Sequence, residues 1–132
     1  MPARTVSVSV ARHPDAVYEY IRDPRNLPDW ASGFAKSVRE EGGGWVVETA
    51  DGTARIAFVA DNKLGVVDHR VTGVGGLDVL NPMRVIANAD GAEVLFTLFQ
   101  PAAMADHQFQ RDLGLVASDL QTLKRVLEAS ER

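Results

Sequence analysis

Val6, Val8 and Val10 alternate with Thr5, Ser7 and Ser9, the two-residue period of a strand with one buried face. His13 ends that strand. Pro14 has no N–H to lose at a helix start and Asp15 suits a first turn, so a short helix is predicted to run to about Arg22. Its apolar face is Ala16, Val17, Tyr18, Tyr20 and Ile21. Asp23-Pro24 breaks it, and Leu27 to Ser32 reads as a second short helix or, given Pro28 near its start, a turn. From Phe34 the period becomes two. Strands are expected over Ala35–Glu41, Trp45–Ala50, Thr53–Asp61, Val66–Thr72, Leu77–Asn88 and Ala92–Gln100. Gly42-Gly43-Gly44, Asp51-Gly52 and Asp90-Gly91 separate them, the Asp-Gly pairs fitting tight hairpins whose central residues need positive φ. The result is an antiparallel meander, with an edge position or a bulge expected at Asn81-Pro82.

Beyond Pro101 the pattern changes again. Phe109, Leu113, Val116, Leu120, Leu123 and Leu127 recur at helical spacing and form one apolar stripe from about Ala105 to Ala129. Such a helix must cover something apolar, and the concave face of the sheet is the large surface available, with Gly114 permitting a close approach. A two-stranded coiled coil would use the same stripe, which is under three heptads long.

Strand, two short helices, antiparallel meander and long closing helix cover essentially the whole chain. With the order Val6, Val8, Val10, Pro14, Val17, Tyr18, Ile21, Asp23, Leu27, Pro28, Trp30, this resembles the START-like, or helix-grip, superfamily. Its branches include polyketide cyclases and dehydrases, ligand carriers and a co-chaperone branch. The resemblance implies an α+β fold of order β-α-α-β6-α, a curved antiparallel sheet wrapped around the C-terminal helix, and an apolar cavity between them.

Composition narrows the classes. At 132 residues and 45% hydrophobic, residues 1–132 suit one domain with one core. No cysteine is present, which removes disulfides, thiolate nucleophiles and cysteine-bound zinc. A net charge of −4 without a basic stripe argues against nucleic-acid binding. No long apolar run or signal sequence appears, so the chain is expected to be soluble and cytoplasmic with no integral membrane segment. Catalytic motifs for serine hydrolysis, zinc proteolysis and phosphate cradling are missing, and Gly73-Val74-Gly75-Gly76 falls between strands as an ordinary loop. His13, His69 and His107 lie on three separate elements, so neither a metal site nor a cofactor is expected.

Strand parity then places the candidate site. Val67, His69 and Val71 share the inward face and Asp68, Arg70 and Thr72 the outward one. His69 is thus either a hydrogen-bonded core residue or a cavity acid/base. The same parity turns Asn81 and Met83 inward; Asn81 can hold a carbonyl oxygen or serve the turn before Pro82. Ile56 and Phe58 join the apolar wall while Arg55 faces solvent, and Phe96 is assigned to the lining. The resemblance implies that Tyr18 and Trp30 pack the short helices and border the pocket. On the closing helix Phe109, Leu113 and Val116 complete it, and Asp112, beside that stripe, either reaches a ligand or lies on a solvated flank.

The leading functional expectation is binding of a small hydrophobic molecule, such as an aromatic polyketide, lipid or isoprenoid, between sheet and helix. One alternative is a polyketide cyclase or dehydrase with His69 as acid/base, assisted by Tyr18 or Asn81. Another, resting on the shared fold alone, is a co-chaperone-like interaction module. The chain is expected to be a monomer or a homodimer formed through Leu115 or an edge strand.

Overall fold

The computed structural model describes residues 1–73 and 76–129. β1 (Ala3–Val10) leads into α1 (Pro14–Ile21), a 3-10 turn (Pro24–Asn26) and α2 (Leu27–Trp30). The meander follows as β2 (Ser37–Glu41), β3 (Gly44–Thr49), β4 (Gly52–Phe58), β5 (His69–Thr72), β6 (Asp78–Asn81), β7 (Met83–Asn88) and β8 (Gly91–Phe99), and α3 (Asp106–Ala129) closes the chain. The fold is a mixed α+β helix-grip arrangement, as predicted. Val74 and Gly75 of the glycine-rich run, and Ser130–Arg132, lie outside the described residues.

Local chemistry sets the helix starts. His13 Nδ1 accepts a hydrogen bond from the Asp15 amide (3.1 Å) and caps α1, while the Asp23 carboxylate accepts from the Arg25 amide (3.1 Å) and caps the 3-10 turn. α2 stops at Trp30, short of Ser32, because Ala31 leaves the helical region at φ −106° and ψ 43°.

The strands form two antiparallel sheets, ordered β1-β8-β7 and β2-β3-β4-β5-β6. The Leu77–Asn88 run is therefore two strands in different sheets, separated by Pro82, which has no N–H to offer a ladder. The expected strand Val66–Thr72 is likewise divided. Only His69–Thr72 joins the β4 ladder, and the residues before it pair with β7: Val67 N donates to Met83 O (3.0 Å) and Val85 N to Gly65 O (2.8 Å). Asp68 reinforces this junction by accepting from the Met83 amide (2.8 Å) and the Arg84 guanidinium. The segment Gly65–Asp68 is the stitch between the sheets.

The hairpins correct one expectation. Gly42 and Gly43 do turn β2 into β3 at positive φ (62° and 77°), but the other two-residue loops are Ala50-Asp51 and Ala89-Asp90, with Gly52 and Gly91 already in the next strands. Gly91 serves a close approach instead, since a Cβ there would lie 2.5 Å from Val10 O. The left-handed backbone falls on Ala89 (φ 51°).

Register aligns the inward rows. Trp45, Ile56, Val71 and Val79 oppose one another across four strands, as do Phe58, His69 and Asn81 across three, while Met83, Phe96 and Val6 form a row in the other sheet. α3 packs chiefly on β1 and α2 through a buried Leu120, Leu123 and Leu127. Its first half is held differently: between residues 106 and 118 Phe109 alone is buried. Gly114 does not mediate a close approach, because a Cβ there would meet nothing within 4 Å.

Candidate functional site

The inward row Phe58–His69–Asn81 brings together three of the residues selected by parity. His69 is 6% exposed, its ring 4.9 Å from that of Phe58 and 5.6 Å from that of Phe96. Its Nδ1 lies 3.2 Å from Val67 O. A carbonyl only accepts, so Nδ1 carries the proton, and burial lowers the imidazole's pKa and keeps it neutral. Nε2 is then a bare acceptor with no hydrogen-bond partner among the described residues. That is the electronic state of a proton acceptor, held inside aromatic walls.

A cavity of about 630 Å³ opens beside this row. Its floor is Trp45, Ile56 and Phe58, and its rim is Glu19 and Arg22 of α1, Asp23 and Arg25 around the 3-10 turn, and Asp61 of the β4–β5 loop. Both arginines are already engaged: Arg22 Nε with Glu19 (3.1 Å) and Nη1 with Asp61 (3.5 Å), and Arg25 Nη2 with Asp23 (2.7 Å). The Arg25 bond holds the Asp23 carboxyl below its usual range. The site thus combines an apolar floor with a paired, net acidic rim.

The remaining predicted lining residues do not border this cavity. Trp30, Met83 and Phe96 are buried in the contiguous core. The Trp30 indole N–H is enclosed there without a hydrogen-bond partner among the described residues. Tyr18 is half-buried, and its hydroxyl accepts from the Asn62 amide (2.9 Å), fastening α1 to the β4–β5 loop. Asn62 in turn binds that loop to itself, its Oδ1 accepting from Leu64 N and Val66 N and its Nδ2 donating to Val66 O. Asn81 is half-buried opposite His69. Phe109 is buried outside the contiguous core, Leu113 is half-buried, and Val116 packs against that core's margin. Burial raises the carboxyl pKa of half-buried Asp112.

Trp45 and Asp119 escaped the reading of the sequence, as did the rim residues Glu19, Arg22, Asp23, Arg25 and Asp61. Trp45 was legible in principle: counting outward from the Ala50-Asp51 loop sets it opposite Ile56 on the inward face. Asp119 was not, since it sits beside the stripe on α3 and only the docking of α2 buries it. Its Oδ1 accepts from the Gly33 amide (3.1 Å), and a Cβ at Gly33 would lie 2.9 Å from that oxygen. Burial raises the Asp119 pKa, the Gly33 bond and Lys36 opposing this more weakly.

That shift has a stability consequence. A carboxyl whose folded pKa is raised binds its proton more tightly in the folded state, so its ionisation costs nothing below the unfolded pKa and the full amount above the folded one. Asp119→Asn keeps an oxygen for Gly33 and removes the charge. It is expected to raise the melting temperature at pH 7 by about 4 °C, equivalent to about 1 kcal/mol, and by clearly less at pH 3.5. Thermal melts at both pH values check this; a gain that does not shrink on acidification would assign the effect to something other than the buried charge.

Among the described residues, no group of three potential metal-binding side chains is gathered and no helix is long and apolar enough to cross a membrane. A sequence profile described as polyketide cyclase / dehydrase and lipid transport matches residues 1–128. No curated protein matches by sequence. Similar solved structures include XoxI from Bacillus cereus, with a TM-score of 0.78 at 18% identity, covering 100% of this chain and 99% of that one. The Aha1 dimer from Colwellia psychrerythraea gives 0.77 at 14% identity with 100% of each chain covered. DynU16, a putative protein in the dynemicin biosynthetic locus, gives 0.71 at 22%, covering 97% of this chain and 48% of that one.

Proposed function

The chain belongs to the polyketide cyclase/dehydrase and lipid-transport family, and from that premise we propose that it binds a small hydrophobic molecule, as one cytoplasmic domain, with the ligand's apolar part on Trp45, Ile56 and Phe58. The observation that carries this reading is the floor itself: three large apolar side chains at the base of a concave site whose volume falls within the range of small-molecule pockets. An aromatic polyketide, a lipid or an isoprenoid each offers the apolar surface this floor demands.

The test uses a neutral fluorescent probe, N-phenyl-1-naphthylamine. Trp45→Ala removes the largest floor side chain and is expected to weaken probe binding about tenfold, or about 1.4 kcal/mol, with little change in melting temperature because Trp45 is only half-buried. Equal affinity in the variant and the unaltered protein would move the ligand elsewhere. Native mass spectrometry of protein purified from its own host supplies the complementary measurement, a co-purified mass.

A second reading, cyclisation or dehydration of a polyketide-like substrate, is favoured by the unpartnered Nε2 of His69, which can take a proton from carbon or oxygen. In that case His69→Ala abolishes turnover and leaves product binding in place. Tyr18 enters such chemistry only with its hydroxyl already accepting from Asn62. Homodimerisation through Leu115, 44% exposed on the outer side of α3, is the surface proposal that accompanies either reading.

A further inference from the structure

The charged groups around the cavity do not balance. Glu19, Asp23 and Asp61 bring three carboxylates to its rim and Arg22 and Arg25 bring two guanidinium groups, with no lysine or histidine among the described residues that border it. One negative charge is in excess, and the ion pairs show on which side it lies. Arg25 is matched by Asp23 alone in a two-pronged pair, Nε donating to Oδ1 (2.9 Å) and Nη2 to Oδ2 (2.7 Å). Arg22 is divided between two carboxylates: its Nε donates to Glu19 (3.1 Å), while its Nη1 stands 3.5 Å from Asp61. The Asp61 carboxylate accepts no hydrogen bond among the described residues. The floor acts in the same sense as the rim. Trp45 and Phe58 both border the cavity, and an aromatic ring attracts a cation through its quadrupole.

We propose that the cavity takes an organic cation: a hydrophobic amine whose apolar body rests on Trp45, Ile56 and Phe58 and whose ammonium group meets the Glu19 and Asp61 side of the rim. The inference rests on the binding reading above and names the class of ligand within it. An ammonium group can donate to Asp61 without breaking any hydrogen bond that carboxylate already makes, and it cancels the excess charge. A ligand carboxylate or phosphate would add to that excess and find both guanidinium groups engaged. A neutral molecule binds through the floor alone. Asp61 is 73% exposed, so the gain is that of a surface ion pair, about fivefold in affinity.

Three naphthalene probes of similar size test this at pH 7: 1-naphthylmethylammonium, a cation; 1-naphthylmethanol, neutral; and 1-naphthoate, an anion. Calorimetric titration at about 20 mM salt is expected to rank them in that order, with about fivefold between successive members. At about 500 mM salt the three affinities should draw together. Asp61→Asn evens the charge of the rim and is expected to bring the cation within about twofold of the neutral probe. Asp61→Asn/Glu19→Gln leaves a guanidinium in excess and should place the anion ahead of the cation. Asp90→Asn removes the same charge from the β7–β8 loop, outside the cavity lining, and should leave the order and spacing of the unaltered protein.

The proposal is overturned if the cation binds the unaltered protein no more tightly than the neutral probe, or if Asp61→Asn leaves the cation's advantage whole. It is equally overturned if Asp90→Asn removes as much of that advantage as Asp61→Asn, which would assign the preference to the overall charge of the chain. A failure of the binding reading looks different: none of the three probes binds, or Trp45→Ala leaves the affinity for 1-naphthylmethanol unchanged.

Discussion

Gly65→Ala is expected to destabilise the protein by about 3 kcal/mol or more, a large loss for the addition of a single methyl group. Two independent costs meet at this position. Its backbone is left-handed at φ +72°, where a Cβ costs about 1 kcal/mol. The added carbon would also lie 2.1 Å from Val85 O, a backbone atom that cannot rotate away. Relief requires β7 to move, and movement breaks the Val85 N to Gly65 O bond that helps join the two sheets. Urea unfolding followed by circular dichroism measures the loss. Hydrogen exchange locates it: the amides of Val67 and Val85 should lose protection before those of β1 and β8. A variant within about 0.5 kcal/mol of the unaltered protein would show that the junction does not depend on this contact.

Leu123→Ala is expected to cost about 3 kcal/mol, and Leu113→Ala less than about 1 kcal/mol, although both residues belong to the same apolar stripe of α3. Leu123 has no exposed surface and belongs to the contiguous core, so truncation there leaves a cavity bounded by packed neighbours. Leu113 is half-buried on the part of the helix where Phe109 alone is buried, and solvent or a side-chain shift can fill the space it leaves. Denaturant titration of the two variants compares them directly. Equal costs would mean that α3 is docked uniformly, which would contradict the division between its two halves.

The contrast between Leu113 and Leu123 also marks how far the pattern of residues could be read. A stripe at helical spacing identifies the helix and its apolar face, because both follow from the 3.6-residue turn. It carries no information on which half of the helix finds a partner. The strands behave in the same way: parity turned His69, Ile56 and Met83 inward correctly, since successive side chains must alternate, and all three are buried. Parity could not say that Met83 belongs to a different sheet from the other two. It also missed the pairing of Gly65–Asp68 with β7, because the choice of ladder partner depends on a chain segment 15 or more residues away.

The candidate site divides along the same line. The neutral state of His69 comes from burial between Phe58 and Phe96 and from the Val67 carbonyl, none of which its sequence neighbours disclose. Asp119 looked like any polar residue flanking an apolar stripe until α2 and the Gly33 amide closed over it. Trp45 became part of a floor only because the turn at Ala50-Asp51 sets it opposite Ile56.

By itself the sequence determined the succession of strand, short helices, antiparallel meander and long closing helix, and most of the inward side chains, because these follow from periods, prolines and helix-start chemistry that act within a few residues. Tertiary structure alone decided that the meander splits at Pro82 into two sheets, that α3 is anchored by its second half, and that the open cavity is bordered by Phe58 and not by His69. Each of those outcomes depends on which distant surfaces meet, and close packing, unlike periodicity, is a property of the pair.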